Sequence, residues 1–260
     1  HNTINKMKKI IYGLINTILL TNFSFGQRVK SNDLINVGVE HNKMLDIAFK
    51  KITNDKLTSK DKDVLVNSLV DYLQSLNNYS KEDIELGKNN LKKIFTYKFD
   101  TTNNLYTHEY SNKIDSDVKF YLDKLNKIVD SEIISIKDFN NRVTLLETEI
   151  DSNLKLKNEQ LIILYSATNV AKFSNEYWTN NITTWSNLNS TLSKADPKKK
   201  KSQVLKNDIA GAVGGAAGAW VVNVVPIWGQ VSYGSAILGT AVAGSVGTAC
   251  LELMDSWGWD

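Results

Sequence analysis

The chain has 260 residues, enough for one large domain or two small ones, and a formal net charge of +3. Residues 1–26 hold three lysines and no acid, so the chain without them is formally neutral. That argues against nucleic acid as the main partner, because phosphate binding needs a basic face, and a single cysteine, Cys250, excludes an intrachain disulfide framework.

Lys6, Lys8 and Lys9 precede an apolar run from Ile10 to Leu20, and Ser24 and Gly26 stand just before Gln27. A charged n-region, a short apolar h-region and small residues before a cleavage point mark a secretory signal peptide. Cleavage after Gly26 would leave Gln27 at the new amino terminus, with translation starting at Met7. The h-region is short for a spanning anchor, and no cysteine lies nearby to carry a lipid. The expectation is export across a bacterial inner membrane to a periplasmic, envelope-associated or secreted location.

From Ser31 to Ser193 apolar residues recur at three and four, the helical period. The first helix is predicted over about Asp33–Ile52, with a stripe of Leu34, Val37, His41, Leu45, Ala48 and Ile52. The second follows Thr58 or Ser59 and carries Leu65, Leu69, Leu73 and Leu76. The third opens with Ser80-x-x-Asp83 and continues through Ile84, Leu91 and Ile94, before a polar loop over Asp100–Tyr110. The fourth aligns Ile114, Val118, Tyr121, Leu125 and Ile128. The fifth starts at Ser135-x-x-Asp138, a capping-box-like pattern, and carries Phe139, Val143, Leu146 and Ile150. The sixth runs from about Asn158 to Leu192, apolar at first and aromatic later. The fold class expected is all-α: about six amphipathic helices over 27–195, enough for an antiparallel bundle. A lysine-rich linker at 196–202 and a Gly/Ala-rich helical hairpin over 203–260 complete it.

The hairpin consists of two uncharged runs, Ile209–Trp228 and Val231–Leu251, hinged at Pro226. Each is about 20 residues, long enough to cross a hydrocarbon core as a helix. Gly211, Gly215 and Ala219 form one row of small residues, Gly214 and Gly218 the next, and Ser235, Gly239, Ala243 and Gly247 a third. Such rows let two helix backbones approach closely. Trp220 and Trp228 suit interface anchoring. Lys198, Lys199, Lys200 and Lys201 could dock on anionic lipid heads, each contributing on the order of 1 kcal/mol, or form a solvated linker. A helix that is apolar all round must be covered by lipid or by other helices. The leading reading is an exported, non-enzymatic protein that associates with membrane through this hairpin, with permeabilisation as its strongest form. The alternative is a soluble extracytoplasmic scaffold or partner-binding protein with the hairpin buried in its core, and the two are compatible with being states of one protein. The partners implied are membrane lipid or another copy of the hairpin.

Three histidines occur. His41 lies on the first helix's apolar stripe one turn after Gly38, and the favoured reading is a partly buried side chain bonded to a neighbouring helix, with the glycine allowing close approach. A ligand or general base there would need convergent partners, and a hydrolase organised around it would need acidic or nucleophilic side chains nearby in space. His108 reads as a surface residue, and His1 as upstream of the natural start. No nucleophile elbow, phosphate loop or H-E-x-x-H pattern is present. No catalytic residue, metal ligand or cofactor is therefore assigned, and a non-enzymatic protein is expected. Tyr177, Trp178 and Trp185 read as core packing ahead of an interface or glycan-stacking surface.

Ile209–Trp228 and Val231–Leu251, joined by Val-Pro-Ile-Trp at 225–228, resemble the hydrophobic hairpin of pore-forming colicins, and similar small-residue hairpins occur in two-peptide bacteriocins and glycine-zipper envelope proteins. The likeness covers the last fifth of the chain and implies membrane association, with permeabilisation as its strongest form. Gly38-x-x-His41-Asn42, Ser174-x-x-Tyr177-Trp178 and the glycine-rich end resemble a group of exported bacterial helical proteins of unknown function. That likeness implies a secreted helical protein and no activity.

Overall fold

The structure, a computed structural model, describes residues 28–57, 61–75, 81, 85, 87–89, 114–131, 135–188, 197–221, 241–247 and 250, with backbone alone at 62, 197–200 and 218–221. Among these residues the protein is all-α. A 3₁₀ turn at Ser31–Leu34 leads into α1 (Ile35–Asp55), followed by α2 (Lys62–Ser75), α3 (Ser116–Asp130), α4 (Ile136–Ser152), α5 (Asn158–Ser186) and α6 (Pro197–Val221). Residues 241–247 are again helical.

The amphipathic stripes set the packing. Val37, His41, Leu45, Ala48 and Ile52 of α1 are all buried, as are Leu65, Leu69 and Leu73 of α2. On α3 and α4 the buried faces are Val118, Tyr121, Leu125 and Phe139, Val143, Leu146, Ile150. Two starts follow from capping chemistry. Asp115 accepts from the Val118 N–H at 2.9 Å, and Ser135 accepts from the Asp138 N–H at 3.1 Å, each filling a donor that the first helical turn leaves open.

The helix α5 departs from the amphipathic expectation. Every residue from Leu161 to Ala171 is buried, polar ones included. The helix is central, touching α1, α3, α4, α6 and the 3₁₀ turn. Some of its buried polar groups have partners in the surrounding layer: Thr168 donates to Glu147 at 2.7 Å, and the Asn169 amide donates to the Ser31 carbonyl at 2.9 Å. Ser166 Oγ and the Asn175 amide nitrogen are buried with no hydrogen-bond partner among the described residues. Burial all round marks a helix covered on every side.

Immediately before the 3₁₀ turn, the Arg28 guanidinium donates to the carbonyls of Asn153 (2.8 Å), Leu156 (3.0 Å) and Ile150 (3.2 Å). It thus ties together the carboxyl end of α4 and the turn that follows it. Arg28→Ala is expected to lower unfolding free energy by about 2 kcal/mol, the scale of hydrogen bonds from a charged donor, as read by urea denaturation.

The lysine-rich segment is not a linker. It is the first turns of α6, which starts at Pro197. Proline is favoured in a first helical turn because it has no N–H to leave unpaired, and lysine is a good helix former. The Lys201 ammonium donates to the Thr179 hydroxyl of α5 at 2.6 Å, and its partial burial pushes its pKa down. From Val204 to Ala217 every residue of α6 is buried, largely against α5. The predicted leader, the third helix's stripe, the polar loop, His108, Trp228, Gly239 and the Pro226 hinge lie outside the described residues.

Candidate functional site

The two short patterns singled out in α1 and α5 face each other. A Cβ built on Gly38 would lie 2.3 Å from Phe173 Cδ2, 2.8 Å from Phe173 Cγ and 2.9 Å from the Asn169 carbonyl oxygen. Only a residue without a side chain permits that approach. One turn on, the Asn42 amide donates to the Phe173 carbonyl at 3.0 Å. The crossing places His41 opposite Ser174 and Trp178, with the amino-terminal half of α6 beside both.

His41 is fully buried, more than the partial burial expected. Its Nδ1 is 2.8 Å from the Ser245 hydroxyl, which itself donates to the Val242 carbonyl at 3.0 Å. Its Nε2 is 3.2 Å from Asp208 Oδ2. That contact is an ion-pair approach rather than a well-directed hydrogen bond, because Nε2 has no acceptor meeting hydrogen-bond geometry. Asp208 is fully buried too. Its Oδ2 accepts from Trp178 Nε1 at 2.7 Å and from the Ser174 hydroxyl in a short contact. Its Oδ1 is buried with no donor.

The Ser245 hydroxyl lies within hydrogen-bond reach of both the Val242 carbonyl and His41 Nδ1, and the donor in the His41 contact follows the ring's tautomer. Burial without water favours a pair with no net charge.

Aromatic packing encloses the cluster. Tyr177 and Trp178 stack edge to face with centroids 5.1 Å apart, Trp178 and Trp185 follow at 5.5 Å, and Phe49 of α1 lies 5.1 Å from Trp185. The Trp185 N–H donates to the Tyr177 hydroxyl at 3.1 Å. Burial, followed by the Asp46 carboxylate, pushes the Tyr177 phenol well above its ordinary value despite that bond. Burial and then the charge of Asp208 push the Cys250 thiol up in the same way. These aromatics are core residues, as their spacing suggested.

The residues marked from sequence divide into three groups. His41 joins the cluster. Gly211, Gly214, Gly215, Ala243 and Gly247 are buried on helices, while Gly218, Trp220 and Lys198 to Lys200 are placed on α6 by backbone alone. Asp208 and Ser245 were missed, and with them the partners that His41 was thought to lack. The available signal was that Asp208 is the last charged residue before the uncharged stretch Ile209–Leu251.

An acid and hydroxyls do surround His41, as a hydrolase would need. The serine hydroxyl, however, also lies 3.0 Å from the Val242 carbonyl, and His41, Ser174, Asp208 and Ser245 are all fully buried. A general base needs a free lone pair directed at its nucleophile. A surface cavity of about 260 Å³ opens elsewhere, lined by Ile114, Asp115, Val118, Lys157, Glu159, Gln160 and Ile163. Among the described residues no His, Cys, Asp and Glu side chains are grouped as a metal centre requires. What the cluster does physically is join α1, α5, α6 and the 241–247 helix at one buried point.

Among the described residues, the fold and site define an all-α protein in which α6 and the 241–247 helix meet the core at His41, through Asp208 and Ser245. Comparison with protein-family models, curated proteins and solved structures finds no match for this chain.

Proposed function

We propose that this is an exported, non-enzymatic helical protein whose Gly/Ala-rich end forms the centre of a soluble extracytoplasmic body acting as a scaffold or partner-binding protein. The observation that carries this is the complete burial of Val204–Ala217 around Asp208. An acid inside the tail, hydrogen-bonded to α5 and facing His41 of α1, is what a core segment tolerates and a lipid-facing span does not. Among the described residues no helix is long and apolar enough to cross a membrane. The finer architecture in this reading is about six amphipathic helices followed by a helical hairpin, with Gly211 and Gly215 packed toward Gly239 and Gly247.

A second reading has the same tail entering lipid after leaving the core, with Trp220 and Trp228 at the interface and Lys198 to Lys201 on anionic heads. Its partner would be membrane lipid or another copy of the hairpin, and permeabilisation in the manner of bacteriocins its strongest form. The absence of any charge from Ile209 to Leu251 favours it. Flotation of the full-length protein with anionic vesicles separates the two. The core reading expects a monodisperse monomer that stays at the bottom of the gradient. Co-flotation without any denaturing step would transfer the conclusion to the membrane reading.

A further inference from the structure

We propose that His41, Asp208 and Ser245 form a latch: when it is broken, Val204–Ala217 and the 241–247 helix with Cys250 leave α1 and α5 together while the remaining helices stay folded. The inference rests on the core reading of the tail, and concerns how that core is held.

Both tail segments send one polar side chain to the same residue of α1. Asp208 approaches His41 Nε2 from α6, and Ser245 meets His41 Nδ1 from the later helix. On the far side Asp208 is held by Ser174 and Trp178 of α5. The rest of the buried α6 surface is weak by comparison. From Val204 to Ala217 its larger apolar side chains are Val204, Leu205, Ile209 and Val213, the rest of its apolar surface being alanine and glycine, and apolar stabilisation scales with the area each side chain removes from water. The α1, α4 and α5 interfaces instead use Met44, Leu45, Phe139, Leu161 and Leu164. Among the other ties, Lys201 to Thr179 and Lys206 to Asp130 each have a solvent-accessible end, where ion pairs and hydrogen bonds add little. The cluster is the buried polar point at which both tail segments meet the same residue of α1. Segments of low local stability open as units below the global unfolding free energy.

Cys250, the chain's single cysteine, is buried in the second segment and reports its opening. The test is native-state labelling of Cys250 by a small thiol reagent, in the full chain, at fixed pH and without denaturant. The comparison sets Asp208→Asn against Phe139→Leu in α4, a core change away from the tail, with global stability of each measured by urea. The latch predicts labelling at least about tenfold faster in Asp208→Asn than its own global stability allows, with helicity retained, while Phe139→Leu labels at the rate set by global unfolding. Ser245→Ala removes only the second tether and repeats the comparison with a milder change. If Asp208→Asn and Ser245→Ala both fall on the same line of labelling rate against global stability as Phe139→Leu, the tail opens only with the whole protein and the latch is overturned. Rapid labelling of Cys250 in the unaltered protein would instead overturn the core reading itself.

Discussion

Replacing Asp208 with alanine is expected to lower the unfolding free energy by about 3–5 kcal/mol, the scale on which removing one partner strands a buried charge or its donors. Two donors lose their acceptor, the Trp178 N–H at 2.7 Å and the Ser174 hydroxyl, and the His41 ring loses the carboxylate that faces it at 3.2 Å. None can turn to water, because all three side chains are fully buried. The pair is not a large source of net stability. Bringing two ions out of water opposes folding by several kcal/mol each, so the loss measures what remains unpaired rather than the value of the contact. That distinction is itself measurable. In a double-mutant cycle, His41→Ala added to Asp208→Ala should cost much less than it does alone, because the two residues share one interaction. Urea denaturation of the four proteins gives the answer. A loss under about 1 kcal/mol for Asp208→Ala would mean that the carboxylate is hydrated, since an exposed ion pair contributes no more than that.

The same residue explains what could and could not be read from the sequence. The helical period identifies which face of a segment is buried, so most of the stripes of α1 to α4 were legible, as was the Ser135 cap. On α3 the predicted Ile128 is only partly buried, while Leu122 and Val129 are buried, and Leu76 lies outside the described residues. Period does not identify the partner of that face. His41 and Ser245 are separated by 204 positions in the chain, and no local rule joins them. Gly38 could be read because a glycine on a buried stripe has no packing value of its own and signals close approach. Asp208 could not, because a lone acid beside lysines looks like the polar edge of a linker until the helix carrying it is seen to be covered. The linker was misjudged for a related reason. Composition at 197–202 describes solubility, whereas helix formation depends on a first-turn proline, good helix formers and a buried continuation from Val204. The continuous burial of Leu161–Ala171 was equally hidden, since Ser166, Thr168 and Asn169 look like an outer face in isolation.

Gly38→Ala sets two ordinary effects against each other, and their magnitudes decide the sign. In an open helix the change would stabilise by about 1 kcal/mol, because alanine has the better helix propensity. Here the new methyl would sit 2.3 Å from Phe173 Cδ2 and 2.9 Å from the Asn169 carbonyl oxygen. The ring contact can be relieved by rotating Phe173, which is only partly buried. The carbonyl is backbone of the central helix α5, and moving it means separating α1 from α5 along their crossing. Overpacking of this kind costs about 1–3 kcal/mol and displaces neighbours. The next bond along the crossing, Asn42 to the Phe173 carbonyl at 3.0 Å, lengthens with it. The expected net result is a loss of about 1–2 kcal/mol after the propensity gain is subtracted. Phe173→Ala in the Gly38→Ala background should recover only the part of the overpacking that is due to the ring, since the carbonyl contact remains. Thermal or urea unfolding reads both. A Gly38→Ala protein more stable than the parent would show that propensity wins, and that the two helices which position His41 against Asp208 do not cross so closely.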